Sequence, residues 1–111
     1  MLKPGPYTIL AYRRRSGGAP FLDWLDTLDA HTRERISGRI DRMRKGNFGD
    51  FKAIEQNLYE LRCFFGPGYR VYFAEHRRTT ILILGGGDKS SQKLDIKQAK
   101  QFWKMYQEEN P

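Results

Sequence analysis

The 111-residue chain has one cysteine, Cys63, and so no internal disulfide. That removes the staple on which small secreted domains rely and favours a cytoplasmic home. Histidine is also scarce: His31 and His76 fall on separate predicted elements from each other and from Cys63, without metal-ligand spacing, so no metal site and no cofactor is expected. No apolar run approaches the ~20 residues that cross a bilayer, and the N-terminus has no signal-peptide core, so neither membrane insertion nor export is expected. Acid is in the minority. Thirteen Asp and Glu stand against 20 Lys and Arg, a formal net charge of +7. Such a surplus suits a partner carrying phosphates or acidic side chains, without choosing between RNA, DNA and protein.

What is present suffices for a packed core: 39% of residues are hydrophobic and 14% aromatic, in a length that fits one domain, residues 1–111. Tyr7 to Tyr12 follow the breakers Pro4-Gly5-Pro6 and read as a first strand. Pro20 opens a helix whose apolar stripe is Phe21, Trp24, Leu25 and Leu28. Asp29 is placed to cap a second helix that buries Ile36, Ile40 and Met43 and ends at Gly46-Asn47. A polar connection through Gly49-Asp50 and Lys52 follows. From Leu58 the period becomes two: Tyr59, Leu61, Cys63 and Phe65 make an apolar face, and Glu60 and Arg62 mark the other as charged. Gly66-Pro67-Gly68 leads to a strand with Val71 and Phe73 on one face and Arg70 and Tyr72 on the other. Thr80 to Leu84 is a strand covered on both faces, ended by Gly85-Gly86-Gly87. A last helix buries Leu94, Ile96, Ala99, Phe102, Trp103 and Tyr106. The expected fold is α+β, in the order β-α-α-β-β-β-α, with a mostly antiparallel four-stranded sheet.

Several chemistries are disfavoured. The glycines before Lys89 resemble a phosphate-binding loop, but Asp88 stands where that loop requires glycine, and its charge opposes phosphate. They are read instead as a tight exit from a buried strand. Cys63 points into the core, and no serine has a credible histidine partner, so a protein nucleophile is not expected. The arginines of the second helix read either as a solvated face or as a docking surface for RNA backbone. Arg62 and Arg70, beside Tyr72, exceed what cross-strand ion pairing requires, since such pairs contribute only ~0.2–1 kcal/mol.

An ordered set of motifs carries a family resemblance: Phe21-Leu22-Asp23-Trp24-Leu25, Gly46 to Lys52, Glu60-Leu61-Arg62, Gly66 to Phe73, and Gly86 to Gln92 with Asp95, Ile96 and Ala99. Over about residues 7 to 107 the chain resembles the addiction-module killer proteins of the RelE/ParE superfamily of type II toxins, in the branch near HigB and the phage Gp49-like proteins. The resemblance implies a RelE-like fold and a cognate antitoxin, most often a helix-turn-helix protein encoded beside it. It also implies a ribosome-dependent, metal-independent cut in mRNA by the ribose 2′-hydroxyl, which inhibits translation. By position it assigns Arg62, Lys89, Lys52 and Asp95 to catalysis, and Arg70, Tyr72 and Gln92 to substrate binding. Arg70 has a structural reading of equal weight. The chain departs from the best-known nucleases at Gln92 to Ile96, where it has neither tyrosine nor histidine, so the acid and base are left open. Two alternatives share the fold: a ParE-like inhibitor of DNA gyrase without chemistry, and a silent protein that binds nucleic acid or antitoxin.

Overall fold

The computed structural model describes residues 2–111. Along the chain run β1 (Thr8–Ala11), α1 (Pro20–Asp26), α2 (Ala30–Met43), β2 (Phe51–Glu55), β3 (Leu58–Cys63), β4 (Tyr69–His76), β5 (Thr80–Gly87), a 3-10 turn (Lys89–Ser91) and α3 (Gln92–Glu109). The strands form one sheet in the order β1-β5-β4-β3-β2. β1 runs parallel to β5, and the other neighbours are antiparallel. The α+β class and the mostly antiparallel sheet are as expected.

The sheet has five strands rather than four. The addition is β2, in the segment read as a polar connection. It is an edge strand, joined to β3 through Gln56-Asn57, with Asn57 at a φ of 64°. Four of its five residues are exposed, so it lacks the apolar alternation that burial imposes and by which strands are recognised.

Both faces of the central strands are buried. On one, Tyr59, Leu61, Val71, Phe73, Ile81 and Ile83 pack with Phe21 of α1 and with Ile36, Ile40 and Met43 of α2. Phe73 stacks between Phe48 and Tyr59, at ring distances of 5.6 and 5.3 Å. On the other, Leu58, Tyr72, Ala74, Leu82 and Leu84 meet Ala99 and Trp103 of α3. The face of β3 that holds Glu60 and Arg62 is largely covered rather than open to solvent. Leu58 is fully buried and Glu60 only 3% exposed, because α3 lies over them. The start of α2 follows its sequence signal, with the Asp29 carboxylate accepting from Thr32 N at 2.9 Å. In α3, Leu94 is not part of the buried stripe; it is exposed.

The glycines do not end β5, which continues to Gly87. They allow close approach. A Cβ at Gly86 would lie 2.3 Å from the Trp24 ring, and one at Gly87 only 1.9 Å from Asp95 Oδ2. Glycine is therefore required where α1 and α3 press on the strand. Gly85 has nothing within 4 Å of its missing Cβ. Gly86→Ala should cost ~1–3 kcal/mol of stability by overpacking, whereas Gly85→Ala should be neutral or slightly stabilising. Urea denaturation of the two variants checks this, and equal effects would contradict it.

Candidate functional site

Strand register brings the expected residues together. Lys52, Glu60, Tyr72 and Gly85 are successive partners across β2, β3, β4 and β5; the next row pairs Arg62 with Arg70 and Arg70 with Gly87. Directly opposed residues share a face, and this is the face that α3 covers. At the start of α3, Gln92 Nε2 donates to Glu60 Oε2 at 2.8 Å. Trp103 and Tyr106, further along, pack against His76 at the far end of β4. The helix therefore covers the sheet from the Glu60 row onward and leaves the Arg62–Arg70 row at its margin, where the Arg62 side chain is 35% exposed.

Two guanidinium groups directly opposite each other repel, and each is braced. Arg62 Nη2 donates to Asp50 Oδ1 at 3.4 Å, and its Nε makes an ionic contact of 3.1 Å with Oδ2, off the line of a hydrogen bond. Arg62 N donates to Asp50 O at 2.9 Å. Arg70 Nη1 donates to Gly68 O at 2.6 Å, while its buried Nε has no hydrogen-bond partner. Lys89 is exposed in the 3-10 turn, with its Cβ 3.9 Å from where a Gly68 side chain would begin; this sets it beside the β3–β4 connection. Lys52 is exposed at the other end, on β2.

Carboxylates are interleaved with these cations. Asp88 accepts from Ser90 N and Oγ, at 2.8 and 2.5 Å, and these bonds hold its pKa below the usual range. Asp95 accepts from Ser91 Oγ at 2.5 Å. Burial nevertheless raises its pKa, with the Asp88 charge adding to the rise. Tyr72 is expected among the substrate-binding residues, but it has no exposed surface. Its hydroxyl has no partner in hydrogen-bonding geometry, and burial, with the Glu60 and Asp95 charges, lifts its pKa far above the ordinary value.

Three contributors escaped the sequence reading. Asp50, in the loop before β2, is the counter-ion of Arg62. Glu60 anchors Gln92. Arg39 of α2 reaches inward, Nη1 donating to Arg62 O at 2.9 Å and Nη2 to Phe48 O at 3.2 Å. The spacing of Glu60 and Arg62 puts both on one face, which was a usable signal; Asp50 lies in the Gly46 to Lys52 motif and Arg39 among the α2 arginines, but no local pattern joins either to Arg62. The three residues weighed as metal ligands stay apart, with His31 on α2, Cys63 buried at the end of β3 and His76 against α3.

Residues 23–105 match the family of phage-derived Gp49-like proteins. The chain belongs to that family. Its members are RelE-like killer proteins of toxin–antitoxin addiction modules, which implies an antitoxin partner for this Gp49-like chain. An uncharacterized protein of Haemophilus influenzae strain Rd is 44% identical over 81 residues, covering 72% of this chain and 82% of that one. Among the described residues, no helix is long and apolar enough to cross a membrane.

This Gp49-like site thus offers paired arginines at a sheet margin, flanking lysines, and a carboxylate that binds its proton more tightly than usual. The Asp95 shift has a measurable sign. Because the folded pKa lies above the unfolded value, the folded state holds the proton more tightly, and the associated stability is complete below about pH 3.8 and is lost as pH rises through the folded pKa. Asp95→Asn cannot ionise. The stability of wild type relative to Asp95→Asn should therefore fall as pH rises above 3.8, as read by denaturation from pH 3 to 7; a flat or rising difference would contradict it.

Proposed function

We propose that the chain is the toxin of a type II toxin–antitoxin pair and acts as a ribosome-dependent, metal-independent endonuclease on mRNA. The observation that carries this reading is the Arg62–Arg70 pair, opposed in register at the open margin of the sheet. Like charges held side by side are stabilised by an anion between them, and the Arg62 side chain is 35% exposed at this margin, open to one.

In this reading the ribose 2′-oxygen attacks the adjacent phosphorus, the 2′-proton leaves, and the bond to the 5′-oxygen of the next nucleotide breaks as that oxygen is protonated. Arg62 and Arg70 hold the scissile phosphate, and Lys89 stabilises the charge that develops on the phosphorane. Asp95 accepts the 2′-proton; its raised pKa brings it closer to the value that suits a general base. Lys52, exposed on β2 in the adjoining row, protonates the leaving oxygen. Gln92 and the buried Tyr72 position their neighbours, while Asp50 orients Arg62. No protein nucleophile is needed.

Removing a transition-state donor typically costs ~10²–10³-fold in rate. Arg62→Ala should therefore abolish detectable cleavage while leaving the fold and antitoxin binding intact. Primer-extension mapping of mRNA ends after induction, with circular dichroism of the purified variant, checks this. Intact transcripts with wild-type protein, accompanied by gyrase-linked DNA breaks, would support a ParE-like inhibitor instead.

A further inference from the structure

Beyond the cation row, α2 and the β3–β4 connection enclose a groove of about 640 Å³, lined by Arg35, Arg39, Arg42, Phe64 and Phe65 among others, within the size range of ligand sites. Its surface is unusual in two respects. Among the described residues Phe64 is the most exposed of the large apolar side chains, at 79%, so its ring is open to stacking by a flat partner. The guanidinium groups around it have different duties. Arg39 is committed to backbone carbonyls, and Arg35 lies over the Phe65 ring at 3.8 Å. Arg42 is exposed two turns further along the same face of α2, about 10 Å along the axis.

The groove borders the candidate site. Arg39 is bonded to the carbonyl of Arg62, and the Arg62 guanidinium lies 6.0 Å from the centre of the Phe64 ring. A polymer whose phosphate lies at Arg62 would meet Phe64 next and the α2 arginines after it. We propose that this groove binds a single-stranded segment of RNA flanking the nucleotide at Arg62, with one base stacked on Phe64 and the phosphates beyond it facing Arg35 and Arg42. The choice of RNA rests on the endonuclease reading above. An exposed ring among guanidinium groups is the pattern of a single-strand track, in which stacking tolerates any base and the cations follow the backbone. An amphipathic helix, by contrast, needs a row of apolar pockets, whereas this groove has one exposed ring flanked by cations. Glu34 is the one carboxylate among the described lining residues.

The test is fluorescence anisotropy with a labelled single-stranded RNA carrying 2′-O-methyl groups, which cannot be cut by its own 2′-oxygen. Phe64→Ala should weaken binding about 5-fold or more, given ~1–3 kcal/mol per stacked base. Arg35→Ala/Arg42→Ala should lower the slope of log affinity against log salt by ~0.7 for each phosphate that is no longer neutralised. Lys97→Ala, exposed on α3, should bind as wild type. Circular dichroism confirms folding. Failure of the wild type to bind this RNA, or equal binding by the groove variants, overturns the proposal; variants that keep RNA affinity but lose the antitoxin mark a protein-docking groove instead. Cleavage is scored separately in a translating extract. Groove-dependent RNA binding by a protein that leaves mRNA intact there supports the groove and counts against the endonuclease, whereas cleavage with unchanged variant affinities overturns the groove alone.

Discussion

The structure depends on one constraint: the central strands must bury both faces, and the helix covering the second face starts part-way along it. The first face is closed by α1, α2 and the stacked rings of Phe48, Phe73 and Tyr59. The second is closed by α3 only from the Glu60 row onward, where Gln92 meets Glu60. Two glycines in β5 let the Trp24 ring and the Asp95 carboxylate rest against the strand. A side chain at either would push a helix outward. The same packing that completes the core therefore fixes the edge at which Arg62 and Arg70 emerge.

That edge is an ionic arrangement of mixed sign rather than a bare cationic patch. Asp50 braces Arg62, the carbonyl of Gly68 holds Arg70, and Asp88 and Asp95 shape the turn into α3. Pre-formed contacts of this kind cost side-chain freedom before a ligand arrives, so less remains to be lost on binding. Behind them the buried Tyr72 and Glu60, with the half-buried Gln92, form a polar layer in which electrostatic effects are strengthened. Burial of Tyr72 takes its hydroxyl out of contact with solvent and makes it a poor proton donor or acceptor near neutrality.

Much of this was legible in the sequence, for physical reasons that also explain what was not. The α2 stripe of Ile36, Ile40 and Met43, the Asp29 cap and the continuous run from Ile81 to Leu84 are local signals, and all appear where their spacing puts them. β2 was hidden because an edge strand with exposed side chains has no apolar alternation. The covered second face of β3 was hidden because Glu60 and Arg62 interrupt it, and the coverage of Leu58 and Glu60 by α3 is a tertiary fact. The site residues fell on one face because period two in β3 and β4 dictates it. The Asp50–Arg62 pair and the Arg39 grip join segments far apart in sequence, without any local pattern.

In the proposed reaction the cations at this margin serve an attack by the RNA's own 2′-oxygen. The most direct measurement is the end chemistry of mRNA fragments produced in a translating extract containing the purified protein, with an mRNA carrying a single 2′-deoxy nucleotide at the mapped cut position compared in parallel. Attack by the 2′-oxygen should leave 2′,3′-cyclic phosphate and 5′-hydroxyl ends, with no cut at the deoxy position. Fragments ending in 5′-phosphate, or a cut that survives removal of the 2′-hydroxyl, would contradict it.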